Sequence, residues 1–270
     1  MSCVRDARSE FFNGGYVIME TLDSVNIPIR KDETHKGDYG KILLIGGSAN
    51  MGGAIMLAAR ACVYSGSGLI TVATHPNNHA ALHSRCPEAM VIDINDTKML
   101  TKMIEATDSI LIGPGLGVDF KGNNAITFLL QNIQPHQNLI VDGDAITIFS
   151  KLKPQIPTCR VIFTPHQKEW ERLSGIPIEE QTYERNREAV NNLGATVVLK
   201  QHGTEIYFKD DAYKLSIGTP AMATGGMGDT LAGMITSFVG QFDSLKDAVT
   251  SAVSYPHLRD NETESYRVRR

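Results

Sequence analysis

Short apolar runs alternate with helix-length segments along nearly the whole chain, and this alternation limits the available folds more than any other feature. Residues 41–45 (KILLI), 69–73, 89–93, 109–112, 138–141, 160–163 and 196–200 read as strands. They are too short for buried helices, and unbroken apolar runs such as KILLI suit strands covered on both faces. Between them, 54–65, 97–107, 123–131, 179–193 and 243–255 read as helices, with a further helix that includes Trp170, the only tryptophan. Leu231, Met234, Ile235, Phe238 and Val239 are spaced three and four apart, as on one helix face. Strand, helix, strand repeated in this order predicts a mostly parallel sheet with helices on both faces. Residues 205–208 and 213–217, around Asp210 and Asp211, predict a hairpin that adds an antiparallel edge.

No repeat, low-complexity block or linker divides the pattern, so 19–255 is expected to form one domain. Residues 1–18 lack a helical or strand period and read as an extension, with Met19 as the natural start. The charged stretch 256–270 is likewise expected to lie outside the core. Of 270 residues, 42% are apolar and 21% charged. That is ordinary for a chain with a full core. A net charge of −4 argues against nucleic acid or an anionic membrane as partner. No run approaches a membrane span and no signal peptide opens the chain. Cys3, Cys62, Cys86 and Cys159 have no metal-like spacing, which predicts a reduced cytoplasmic protein with free thiols.

The strand ends carry the chemistry. Residues 218–240 read GTPAMATGGMGDTLAGMITSFVG, in which Gly225, Gly226 and Gly228 come just before or at a helix start. Glycines there let the backbone approach a ligand, and free N–H groups with the helix dipole favour an anion. Asp229 is then either a helix cap or a carboxylate set beside a bound phosphate. Gly46-Gly47-Ser48 and Met51-Gly52-Gly53 follow the first strong strand, a phosphate-loop outline without a Walker lysine, and a plain connecting turn explains it as well. Gly113-Pro114-Gly115-Leu116-Gly117 is a second glycine loop, expected at a crevice along the carboxyl ends of the sheet. Asp142 and Asp144 end another strand; they either hold Mg²⁺ or a substrate hydroxyl, or cap the next helix. His166, after Thr164-Pro165, is either a site residue or a surface-loop histidine.

Taken together, HKGDYGKILLIGGSANMGGA, GPGLG, VDGDA, FTPHQKEW, VVLKQHGT and TGGMGDTLAGMI resemble the ADP/ATP-dependent NAD(P)H-hydrate dehydratases. The resemblance runs from about Ile27 to Ala252, and the order and spacing of the motifs make it specific. It implies a ribokinase-like three-layer α/β/α sandwich. It implies repair of hydrated NADH and NADPH: a nucleotide phosphorylates the ring hydroxyl, and loss of phosphate restores the double bond. ADP or ATP would be the co-substrate, ADP preferred, with Mg²⁺; no residue is singled out as a metal ligand. By motif, Ala54, Gly115, Gly117, His166 and Asp229 would bind the hydrated nucleotide. Lys200, Gln201, His202, Gly203, Thr204, Gly225, Gly226 and Gly228 would bind the adenine nucleotide. Asp229 would be the catalytic base and Gly225–Gly228 the anion hole. A homo-oligomer and pairing with a separate epimerase are also implied.

The chain departs from the family in two places. Gln167-Lys168-Glu169 stands where Pro-Gly-Glu is common, and Tyr255-Pro256-His257-Leu258-Arg259 replaces a tyrosine-leucine-histidine-glycine continuation, read as a frameshift or truncation. Two other functions remain open: a vitamin-precursor kinase of the same fold (hydroxymethylpyrimidine or hydroxyethylthiazole type), and a nucleotide sensor without turnover.

Overall fold

The computed structural model describes residues 19–22, 25, 27–28, 30, 32–216 and 224–255. The expectations for 1–18, for 256–270 and for the loop around Pro220 fall outside these residues. One ten-stranded sheet runs in the order β1-β10-β9-β8-β7-β6-β5-β2-β3-β4. The strands are β1 (Glu20–Leu22), β2 (Lys41–Ile45), β3 (Leu69–Thr74), β4 (Met90–Asp93), β5 (Ser109–Ile112), β6 (Asn138–Val141), β7 (Arg160–Phe163), β8 (Thr196–Leu199), β9 (Glu205–Tyr207) and β10 (Ala212–Leu215). Neighbours are parallel except β8 with β9 and β9 with β10. The chain lays β3 and β4 on one side of β2, then returns to place β5 on its other side. The strand order therefore reverses between β2 and β5, the place where open α/β sheets bind ligands.

Alternation along each strand splits the core into two layers. Ile42, Leu44, Leu111, Ile140 and Ile162 pack with α1 (Gly52–Tyr64), α8 (Met227–Val239) and the helical segment 245–255. Leu43, Ile45, Ile110, Val141 and Phe163 face the other way, toward α3 (Thr97–Ala106), α4 (Phe120–Asn132), α5 (Asp144–Leu152), α6 (Gln167–Ser174) and α7 (Tyr183–Leu193). The small residues of α1 have a packing reason: a Cβ on Gly233 of α8 would run into the Ala58 backbone. The expected α/β/α sandwich is present.

Three local features refine or add to the expectations. The predicted hairpin exists as β9 and β10, but β1 pairs in parallel outside it, so the hairpin is not the outermost element. The short helix α2 (His79–Arg85) had no expectation at all. The single helix expected over 179–193 is a 3₁₀ turn at Ile178–Glu180 followed by α7, because Thr182 caps α7 by accepting from Arg185 N–H. Among the described residues no helix is long and apolar enough to cross a membrane. Cys62, Cys86 and Cys159 are free and buried, and burial pushes each thiol above its ordinary pKa.

Candidate active site

The loops after β2 and β5 flank the reversal and hold each other. Gly47 N–H donates to Pro114 O at 2.9 Å and Ser48 N–H to Gly115 O at 2.6 Å. The buried Asn78 amide braces the same loop, donating to Gly47 O and Ser48 O at 2.9 and 3.1 Å. Gly115 sits at φ +59°, and a Cβ there would lie 3.3 Å from the Ala54 Cβ and closer still to Met51 O. A side chain at this position would also be strained by the backbone conformation itself. Ala54 and Gly115 are thus in direct apposition, and position 115 has no room for a side chain.

Beyond this pair, the end of β6 carries Asp142. Its Oδ1 accepts from Lys200 Nζ at 2.7 Å and from Thr164 Oγ1 at 2.6 Å. Neither acid after β6 caps α5: the N-cap is Gly143, with no side-chain cap bond. Asp144 instead accepts Gly117 N–H at 2.8 Å, tying the second glycine loop to the carboxylate cluster. Burial alone would lower the Lys200 pKa, but Asp142, Glu169 and Asp229 together hold the ammonium above its ordinary value.

Asp229 stands in the first turn of α8, three residues past its N-cap. That cap is Gly226, at φ +88°, and no side chain caps the helix. The capping reading of Asp229 is therefore excluded. A carboxylate in a first turn ordinarily gains from the helix dipole. Here burial first, then Asp142, push its pKa up to about 6, against the opposing pull of Lys200; Asp144 and Glu169 add to the rise. A carboxylate so raised is a better proton acceptor than a free one and is still largely ionised near neutrality. A Cβ on Gly228 would stand 3.1 Å from Lys200 Nζ, so the glycine turn and the lysine face each other. That arrangement offers N–H groups and one cation to an anion.

His166 follows β7 and forms an isolated parallel bridge with Lys200. Its Nδ1 caps α6, accepting from Lys168 and Glu169 N–H at 3.1 and 3.2 Å, and this leaves Nε2 on the outer side of the ring, 3.5 Å from Glu169 Oε1. Glu169 returns a bond by accepting His166 N–H at 2.8 Å, and burial holds its pKa above the ordinary carboxylate range. Glu169 was missed as a site residue. The signal was present: a cap residue followed three positions later by glutamate is the capping-box spacing. Of the segment 200–204, Gln201 Oε1 accepts from Gln167 Nε2 at 3.1 Å and Thr204 is buried, while Gln201, His202 and Gly203 form a bend open at the surface. Gly225 has open space where a side chain would be.

Among the described residues no group of three or more His, Cys, Asp or Glu is arranged to hold a metal. Mg²⁺ usually needs only one or two carboxylates when phosphates supply the remaining oxygens. Asp142 fits that limited role, since both of its hydrogen bonds fall on Oδ1.

The family model described as NAD(P)H-hydrate dehydratase matches residues 42–259. A curated ADP-dependent (S)-NAD(P)H-hydrate dehydratase from Staphylococcus aureus is 88% identical over 244 residues, covering 90% of this chain and 88% of that one. A ribokinase-like superfamily protein from Enterococcus faecalis superposes with a TM-score of 0.85 at 44% identity, covering 88% and 84% of the two chains. The ADP/ATP-dependent NAD(P)H-hydrate dehydratase from Bacillus subtilis, co-crystallised with ATP/Mg²⁺, superposes with a TM-score of 0.77 at 32% identity, covering 86% and 83%.

Proposed function

The chain belongs to the NAD(P)H-hydrate dehydratase family, and on that premise we propose that it dehydrates hydrated NADH and NADPH at the expense of ADP. The observation that carries this reading is Asp229: a half-buried carboxylate with its pKa raised to about 6, at a helix start, beside the Lys200–Asp142 pair. Asp229 takes the proton of the ring hydroxyl as that oxygen attacks the terminal phosphorus of the nucleotide. The bond from that phosphorus to the bridging oxygen breaks, and AMP leaves. Loss of phosphate from the ring, with a proton from the neighbouring carbon, restores the double bond. Such phosphoryl transfer depends mostly on positioning and charge stabilisation. Gly225, Gly226 and Gly228 offer backbone N–H groups to the phosphate. Lys200, Gln201, His202, Gly203 and Thr204 receive the adenine nucleotide, and Lys200 also offsets charge on the transferring group. Bound Mg²⁺ would shield the remaining phosphate charge, with Asp142 as its protein ligand.

Ala54, Gly115 and Gly117 line the approach of the nicotinamide, and His166 Nε2 offers it a polar contact. The body 19–255 acts as one unit, in the cytoplasm, as a homo-oligomer supplied with the correct epimer by a separate epimerase. Incubation of the protein with hydrated NADH, ADP and Mg²⁺ tests the reading. The expected products are NADH, seen by its restored near-ultraviolet absorbance, together with AMP and phosphate. A stable phosphate ester of a vitamin precursor would instead identify a kinase, and nucleotide binding without products a sensor.

A further inference from the structure

Past the ends of β7 and β8 the two segments stay side by side. Lys200 N–H donates to Pro165 O at 2.8 Å, and His166 pairs with Lys200 in the parallel bridge. There the main-chain pairing stops and a side-chain pair takes over: Gln167 Nε2 donates to Gln201 Oε1 at 3.1 Å. Of the two, Gln167 is the anchored partner. It is the first residue of α6, and its carbonyl accepts from Gln181 Nε2 at 3.0 Å. Gln201 instead opens the bend that runs through His202 and Gly203. Among the described residues its side chain has no hydrogen bond but the one from Gln167. The far end of the bend is held by the main chain, where Leu215 N–H donates to Thr204 O at 2.9 Å. The near end is held by Lys200 N–H and, one residue on, by the Gln167 amide.

We propose that Gln167 is a positioning residue for the adenine nucleotide, acting through Gln201: it holds the bend 201–203 in the arrangement that receives ADP. The proposal rests on the assignment of residues 200–204 to the nucleotide made above. Its physical basis is preorganisation. Ordering a surface bend at the moment of binding costs conformational entropy, and a bond that orders it beforehand lowers that cost. Position 167 is also a place where the chain departs from its family's pattern, since proline, common there, has no amide to donate. A residue beside His166, which is assigned to the other substrate, thus tunes the affinity for the donor.

Gln167→Ala and Gln167→Pro both remove the amide, and both residues suit the position. Alanine is a good helix former, and proline is favoured at a first helical position after extended backbone, which His166 supplies at φ −80° and ψ 169°. Titration calorimetry with Mg²⁺ and ADP, and steady-state kinetics on hydrated NADH, are run on these variants, on Gln201→Ala and on the double variant Gln167→Ala/Gln201→Ala. Both Gln167 variants are expected to weaken ADP binding about fivefold, the effect of one ordinary hydrogen bond. The KM for ADP should rise alongside, with kcat and the KM for hydrated NADH changed by less than about twofold. The double variant should bind ADP no more weakly than Gln201→Ala, because the second substitution removes a bond already lost. Parental ADP affinity in both Gln167 variants would overturn the proposal. Losses that add in the double variant would also overturn it, since Gln167 would then act without Gln201. So would equal rises in both KM values, which would mark a general disturbance of α6. A parent that binds ADP and shows these shifts, yet forms no NADH, would overturn the functional reading and leave the positioning role standing. A parent that does not bind ADP would overturn both.

Discussion

Lys200 Nζ lies 2.7 Å from Asp142 Oδ1 in a pair whose side chains are only 19% and 3% exposed. The pair joins the end of β6 to the residue after β8, and the turn containing Gly228 passes directly over the lysine. It sets the charge that Asp229 experiences. Asp142 pushes the Asp229 pKa up, and Lys200 restrains the rise. The site is therefore best described as a coupled set of three charges with Glu169 and Asp144 around it.

Breaking this pair is expected to cost more than losing a surface ion pair. Lys200→Met leaves Asp142 buried without its cation, at a cost on the order of 3 kcal/mol. Adding Asp142→Asn should recover much of that loss, since an uncompensated charge is worse than none. Urea unfolding of both single variants and the double variant measures the coupling. Purely additive losses would show that the pair is not coupled.

Asp229→Asn separates catalysis from architecture. Gly226, not Asp229, occupies the N-cap, so no cap is lost. The rate is expected to fall by about 10²–10⁴ with ADP binding retained. The folded pKa of Asp229, about 6, is raised above its ordinary value of 3.8. Its ionised form therefore costs stability above pH 6, and the cost fades as pH falls through 6 and is gone below the unfolded value. At pH 8 the asparagine variant should thus melt no lower than the parent. Turnover within a few-fold of the parent would remove Asp229 as the base.

The same raised pKa predicts the acid limb of the pH profile. A general base must be ionised, so kcat/KM on hydrated NADH should fall about tenfold per unit below an apparent pKa near 6. The limb should vanish in the residual activity of Asp229→Asn. A limb that persists unchanged in that variant belongs to another group.

His166 has two roles that different substitutions resolve. Its Nδ1 caps α6 and its Nε2 lies on the outer side of the ring. His166→Asn keeps a cap and removes the imidazole, whereas His166→Ala removes both and should lose a further ~1 kcal/mol of stability. Both should raise the KM for the hydrated nucleotide more than that for ADP. The opposite ranking would remove His166 from the substrate site.

The donor and metal are checked together. ADP is expected to support turnover at least as well as ATP, and excess EDTA to abolish it, because the terminal phosphates need charge compensation. Full activity in EDTA would exclude a required Mg²⁺, and activity with ATP alone would reverse the donor preference.

Local pattern determined a great deal of this protein. The strands 109–112, 138–141 and 160–163 were legible to the residue, because four mostly apolar residues between polar or glycine-rich turns leave the backbone little choice. The glycine loops and the acids at strand ends were legible for the same reason. What local pattern could not contain is the set of contacts made across the sheet. Lys200 and Asp142 are 58 positions apart, and nothing near either residue announces the other. Whether Asp229 caps a helix depends on where α8 starts, a matter of one or two residues that periodicity does not resolve. Its raised pKa depends on burial and on carboxylates from the end of β6, from α5 and from α6, which converge only when the strand order places their ends together. Likewise β1 is three residues whose pairing with β10 is decided by a strand nearly two hundred positions away. Sequence determined which elements form and where their reactive ends lie; tertiary structure decided which ends meet, because electrostatic and steric coupling act through space while propensity acts along the chain.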